Sequence, residues 1–325
     1  NIQNNDGSFD EFYPNEHSFS ATAFTLYSSC YSLKILGVDP TFIKNVAKRA
    51  CRFLVNYENP GASNQIAAAI AAINRYSNLF SDSSYDERVE NMLKNLMGDL
   101  NDEGWHPEYG GFDVGYQSIT LAYLSDYNSF HKNKDIESSL IKSIDFLSNF
   151  IHPDGSVGGG YGSRDTSFLA PFGFAYNIEN SSKSAAILDH VFLNKNSDIN
   201  NFIDDRYICH FLLPSYLLSL KAVDKIKNFK LKQLPFKNKF TKYYTNSGLY
   251  IKSSENYYMI VNLKKNGVLN LFQKNDSSCI LDSGYLIKDK SNIFITSCLN
   301  NISNVDIKED EIKVTGKLFS TSNKV

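Results

Sequence analysis

The sequence predicts an α+β multidomain protein: an incomplete (α/α) toroid of helix pairs over residues 1–227, then an antiparallel β-sandwich over residues 228–325. Three observations predict it. Up to about residue 228 apolar residues recur at helical spacing, and one-faced segments alternate with uniformly apolar ones. A turn built on Asp-Gly or Glu-Gly recurs ahead of loops rich in Gly, Tyr and Asp. From Phe236 the period changes to two, with β-branched and aromatic residues.

The one-faced helices are carried by Ile43, Val46, Ala47, Ala50, Cys51 and Leu54, then by Val89, Met92, Leu93, Leu96 and Met97, then by Ile136, Leu140, Ile144, Leu147 and Ile151. Phe19–Leu36, Gln65–Phe80, Tyr116–Tyr127, Phe168–Tyr176 and Ile208–Leu220 are apolar all round, as buried helices are. Asp204-Asp205 reads as a helix start. The alternation implies an inner ring and an outer ring. The repeated turns are Asp6-Gly7-Ser8-Phe9, Glu103-Gly104-Trp105 and Asp154-Gly155-Ser156-Val157. Their spacings, 97 and 51 residues, fit one skipped unit, whose loop is Asn59-Pro60-Gly61-Ala62-Ser63-Asn64-Gln65. All these loops then leave one end of the ring, and that end is expected to hold the site.

In the second part Gly248–Ile251 and Tyr257–Leu263 read as strands. Lys265-Asn266-Gly267-Val268 joins the latter to Val268–Phe272, since Asn-Gly suits a type I′ turn. Ile280–Ile287, Asn292–Cys298, Val305–Lys308 and Glu311–Phe319 continue the series, with Glu309-Asp310 as a tight turn. Strands this few before Val325 read as a truncated sandwich.

With 325 residues, 42% hydrophobic and 21% charged, the composition is that of a globular protein. A net charge of −2 gives no sign of a nucleic-acid surface. Cys30, Cys51, Cys209, Cys279 and Cys298 are odd in number and lack a CxxC pair, so buried free thiols are expected rather than disulfides or zinc. No apolar run reaches the roughly 18 residues of a membrane span. The chain begins at Asn1, so a mature form and a fragment both remain open.

The stretch from Trp105 to Ser118 combines a Trp, two Tyr, a His and two carboxylates with glycines ahead of a helix. Glycines allow close backbone approach to a ligand, and aromatic rings with polar tips supply stacking and hydrogen bonds. Tyr109 and Tyr116 belong to this loop, as do Trp105, His106 and Glu108. Asn64 and Gln65 start the second inner helix, Arg164 lies in Gly160–Thr166 beside Tyr161, and His17 starts the first inner helix. Converging helix N-termini with Asn, Gln and Arg suit a carboxylate or sulfate. A Tyr beside a neutralised carboxylate can take the α-proton and return it to a leaving oxygen, which in a uronate polysaccharide is β-elimination. Each residue also has a plain structural reading. Asn64 could be a helix cap, Tyr116 a core residue, and Arg164 a partner of Asp165 or Glu108.

The order of toroid then sandwich resembles the heparinase II/III-like polysaccharide lyases. So do Asn64-Gln65-Ile66-Ala67-Ala68-Ala69-Ile70, the Trp/Tyr/Gly loop, and Tyr116 placed 52 residues after Asn64. Phe240–Ile251 and Asp282-Ser283-Gly284 look like that family's entry into its sandwich. The resemblance implies a catalytic domain over 1–227. It makes Tyr116, or Tyr109, both base and acid, with Asn64, Gln65 and Arg164 neutralising the uronate. Trp105 and Tyr161 would be stacking platforms, and His106, Glu108 and His17 would line the site. It further implies an acidic polysaccharide partner, no organic cofactor, and a periplasmic or secreted location; the family can hold a structural metal, but the sequence shows no ligand cluster for one, so no metal is expected. Gln65 stands where many members have His, and no His follows His210, so either Tyr carries both proton transfers or catalysis is weak or lost. A glycan-binding protein without turnover and a uronyl epimerase are the alternatives. Gln3–Phe9 also looks like the repeat of terpene cyclases, whose Asp-x-Asp-Asp cluster is absent here.

Overall fold

The computed structural model describes residues 2–58, 61–193, 212–226, 229, 231–276, 278–284, 286–288, 294–296, 302–308, 311–316 and 319–321. The predicted helix start at Asp204-Asp205, the first residues of Ile208–Leu220, the Glu309-Asp310 turn, Cys209 and Cys298 lie outside them.

An arc of inner helices runs α1 (Phe19–Leu36), α3 (Ser63–Phe80), α5 (Val114–His131), α7 (Phe172–Tyr176) and α9 (Leu213–Ser219), each packed on the next. The outer helices α2 (Lys44–Asn56), α4 (Asp86–Gly98), α6 (Lys134–Leu147) and α8 (Ser182–Leu188) pack behind them. α3 is the centre of the arc because Ala67, Ala68, Ala69, Ala71 and Ala72 let α1 and α5 approach closely; all five are 0% exposed. Ser18 and Asp113 cap α1 and α5 through their side chains, and Gly37 and Lys132 end those helices in the left-handed conformation. α8 went unread in the sequence because its seven residues are too few to show a period. Pro171 starts α7 late, so the expected helix from Phe168 shrinks to five residues.

Two of the three repeated turns share one side-chain construction, while Asn101 Oδ1 holds the Glu103-Gly104 turn. Asp6 Oδ1 accepts the backbone N–H (3.0 Å) and hydroxyl (2.7 Å) of Ser8, and Asp154 holds Ser156 at the same distances. Gly7, Gly104 and Gly155 all have positive φ. An added Cβ would lie 2.3 Å from the Arg49 carbonyl at Gly7 and 2.6 Å from the Lys142 carbonyl at Gly104, so each turn rests directly on an outer helix. Gly104→Ala is expected to destabilise the protein by about 2–4 kcal/mol, from clash and left-handed strain together. Gly98→Ala, where an added Cβ meets nothing, is the control. Thermal unfolding of the two variants measures the difference.

After the helices, β1 (Phe240–Tyr244), β2 (Leu249–Ser253), β3 (Tyr257–Asn262), β4 (Val268–Gln273) and β5 (Cys279–Asp282) form one antiparallel sheet in chain order. Alternation gives its two faces different partners. Leu249, Ile251, Tyr258, Ile260, Val268 and Phe272 join the helical core. Tyr250, Val261 and Leu263 face the other way and pack with Val305, Ile312 and Val314 of the hairpin β8–β9 (Ile302–Ile307, Ile312–Gly316). The two layers make the sandwich. A further antiparallel sheet orders β10 (Phe319–Thr321), β7 (Phe294–Thr296) and β6 (Leu286–Lys288).

Asn266 and Gly267 do take positive φ, 56° and 81°, but a 3-10 turn at Leu263–Lys265 lengthens the hairpin, because fully buried Leu263 plugs the second core. The strand read as Ile280–Ile287 is two strands in different sheets, broken at Gly284 with φ +96°. Cys30 and Cys51 are buried free thiols as expected, whereas Cys279 is exposed. No helix among the described residues is long and apolar enough to cross a membrane.

Candidate active site

Three loops at the N-terminal ends of α3, α5 and α7 meet. α3 starts at Ser63 behind Ala62, which has no capping side chain, so Asn64 is not the helix cap. The cap comes from another loop. Glu108, fully buried, accepts the Asn64 backbone N–H at 2.7 Å and its Nδ2 at 2.7 Å. Short bridges tie the Glu108 backbone to Ala62 and Gly111, and Ser163 Oγ donates to the Glu108 carbonyl at 2.6 Å. Burial pushes the Glu108 carboxyl up to about 8, against the pull of the two Asn64 hydrogen bonds.

Above this base stands Tyr109, in the left-handed conformation with φ 52° and 42% exposed. Gln65 Nε2 donates to its hydroxyl at 3.2 Å, and the Arg164 guanidinium lies 4.2 Å from its ring centroid. Burial chiefly raises the Tyr109 pKa, with Glu108 and Glu11 adding to it while Arg164 and Gln65 oppose. Tyr116, in the first turn of α5, sets its ring 5.7 Å from that of Tyr109 and edge-on to Phe168. Arg164 makes no ion pair with Asp165 or Glu108 among the described residues; both Glu108 oxygens are taken by Asn64. Asn64, Gln65, Tyr109, Tyr116, Glu108 and Arg164 are thus neighbours.

Of the other four residues read from the sequence, three are buried in the core and the fourth is tied into its own turn. Tyr161 is 0% exposed, packed on Phe150 with its hydroxyl 3.0 Å from His152 Nε2. Trp105 is buried against Phe112, and its Nε1 donates to Glu103 at 2.9 Å. Neither ring offers a face to a sugar, because both are committed to the core. His106 is enclosed; its Nδ1 lies 3.2 Å from Gln117 Nε2, and burial pushes its pKa down to about 4. His17 is partly exposed but belongs to its own turn, with Nδ1 2.8 Å from Asp6 and 2.9 Å from Ser8 Oγ.

Several residues that shape the site were not singled out in the sequence. Asp113 caps α5 by accepting the Tyr116 N–H at 3.0 Å, and it also receives the Thr166 hydroxyl and, at 3.3 Å, the Arg164 N–H. Its place three residues before Tyr116 is a readable capping signal. Burial pushes its carboxyl up to about 6. The sheet holds the third loop from outside. Lys265 Nζ donates to the Gly160 and Gly162 carbonyls at 2.7 and 2.9 Å, and Asn262 Nδ2 to the Tyr161 carbonyl at 2.6 Å. Lys265→Ala is expected to loosen this loop: faster hydrogen exchange at Gly160–Arg164, with amides of α3 unchanged.

No family model and no curated protein matches the chain. Among solved structures, one of heparinase III is similar with a TM-score of 0.57 at 13% identity, covering 90% of this chain and 53% of that one. A polysaccharide lyase is similar with a TM-score of 0.50 at 11% identity, covering 71% of this chain and 81% of that one. The protein has the fold of the heparinase-like polysaccharide lyases. It spans about half the length of the heparinase III chain.

Proposed function

We propose that the protein cleaves a uronic-acid-containing polysaccharide by β-elimination. The observation that carries this reading is the meeting of Asn64, Gln65, Tyr109, Tyr116 and Arg164 from three separate loops, above the buried carboxyl of Glu108. Arg164 and the amide of Gln65 would receive the uronate carboxylate, offsetting the charge that builds up as the α-proton leaves. Tyr116 is the base: its place in the first turn of α5 puts its phenolate form at the positive end of the helix dipole. The Tyr116 phenolate takes the proton from the α carbon, the electron pair forms the α,β double bond, and the bond from the β carbon to the glycosidic oxygen breaks. The phenol then returns the proton to that oxygen, so one Tyr serves as base and acid. Tyr109 holds the sugar from the opposite side, with its hydroxyl on Gln65.

The test is absorbance of the conjugated unsaturated uronate during incubation with alginate, heparan, chondroitin and hyaluronan. A rise with one of them supports elimination; a flat trace across the panel sinks it. A second reading, acidic-glycan binding without turnover, is favoured by Gln65 in place of a proton-shuttling side chain. It predicts a flat trace with glycan retained.

A further inference from the structure

Between the helical part and the first strand lies a cleft of about 550 Å³, lined by Asn149, Lys183, Lys232, Gln233, Phe240 and Lys242 among others. That volume falls within the range of about 300–1,000 Å³ typical of small-ligand sites. No lining residue belongs to the loops of the candidate active site.

The cleft is basic although the chain carries a net charge of −2. Lys183, Lys232 and Lys242 line it and no carboxylate does among the described residues; from Lys225 to Ser254 the sequence holds no Asp or Glu at all. Neighbouring lysines feel one another. Burial and the charge of Lys183 lower the Lys242 pKa, against the pull of Asp145 and Glu103. Burial and the charges of Lys237 and Lys239 lower that of Lys274. Like charges held this close stabilise the fold only poorly, and they favour a polyanion that neutralises several at once. Ion pairs take up part of this charge: Asp145 pairs with Lys183 at 2.9 Å, and Glu179 with Lys225 and Glu255 with Lys239 on the open surface, where such pairs are weak, which leaves Lys232 and Lys242 as the cleft's charge. Glu103 is occupied by the Asn246 and Ser247 N–H groups and by Trp105. Half-buried Phe240 adds an apolar ring, and the Asn238 and Gln233 amides add groups that can pair with hydroxyls.

We infer that this cleft is a second binding site, apart from the loop site, for a carboxylate- or sulfate-bearing stretch of an acidic polysaccharide. The inference rests on the reading of the protein as acting on such a chain, and it adds that the chain is gripped at two places. A nucleic acid is the less fitting polyanion, because the sequence pI is about 6.3 rather than strongly basic.

The test is isothermal titration of the full chain with low-molecular-weight heparin, polyguluronate, neutral dextran and a single-stranded DNA oligonucleotide, at low and at moderate salt. Lys232→Gln/Lys242→Gln is expected to weaken binding of an acidic glycan about tenfold and to reduce the salt slope by about two, with Lys232→Arg/Lys242→Arg retaining both. Elimination on a short uronate oligosaccharide should be unchanged in the same variant, because the loop site is intact. Unchanged affinity and slope in the Gln variant, or no binding of either acidic glycan by the parent protein, overturns the second site. Equal, lysine-dependent binding of the DNA overturns its assignment to a glycan. Lysine-dependent glycan binding with no elimination on any substrate leaves the cleft standing and overturns only the lyase reading.

Discussion

Tyr116→Phe is expected to lower formation of unsaturated uronate by about 10²–10⁴-fold while moving the glycan Kd by less than about threefold. The substitution removes one oxygen and keeps the ring that packs at 5.7 Å on Tyr109 and edge-on to Phe168, so the pocket keeps its shape. A base that acts only in the transition state leaves ground-state binding alone when it is lost. Tyr109→Phe should behave differently. It gives up the 3.2 Å hydrogen bond from Gln65 but keeps the ring under Arg164, so KM is expected to rise more than kcat falls. Steady-state kinetics of the two variants, beside titration of the same glycan, separates the roles. If Tyr109→Phe abolishes turnover and Tyr116→Phe does not, the base assignment must be exchanged between them. If both variants bind less and neither loses kcat, elimination by a tyrosine is wrong.

The architecture was legible because its signals are local. α1 spans Phe19–Leu36, the segment read from hydropathy alone, and α3 and α5 extend the predicted segments by only a few residues. The repeated Asp-Gly-Ser turn also marks which ends of the helices share a side, and this brings Asn64, Tyr109, Tyr116 and Arg164 together. What escaped is what depends on distant pairing. Nothing local reveals that α3 is capped by Glu108, 44 residues away, or that Lys265 holds the carbonyl of Gly160 from 105 residues away. The aromatic residues show the same limit in reverse. Trp105 and Tyr161 sit in Gly-rich loops beside polar residues, the pattern of a sugar platform. Whether such a ring turns outward or inward depends on the core it meets: Trp105 packs on Phe112, which itself packs on Phe146 and Phe150 from after the next helix, and Tyr161 packs on Phe150.

Glu108→Gln is expected to change how the stability of the protein depends on pH, and by a large amount. A carboxyl at about 8 in the folded state, against an ordinary value of 4.5, means that the native protein binds more protons than the unfolded chain between those values. Stability linked to Glu108 is therefore fully present below about pH 4.5 and lost as pH rises through 8, a swing of roughly 3–5 kcal/mol. Asp113, raised to about 6 by burial, adds a smaller swing of the same sign, which Glu108→Gln leaves in place. Gln has a similar volume but turns an amide nitrogen toward one of the two Asn64 donors. It should therefore cost about 1–3 kcal/mol at pH 5, where wild type holds its proton. At pH 9 wild type carries a buried charge and the variant does not, so the gap should close or reverse. Urea unfolding at the two pH values measures it. A gap independent of pH would mean that Glu108 does not titrate in this window. The same proton bears on the reaction. Ionised Glu108 adds negative charge beneath the place proposed for a uronate and raises the Tyr109 pKa further. Wild-type KM should therefore climb above pH 8 while that of Glu108→Gln stays level, a divergence that a purely structural cap for α3 would not produce.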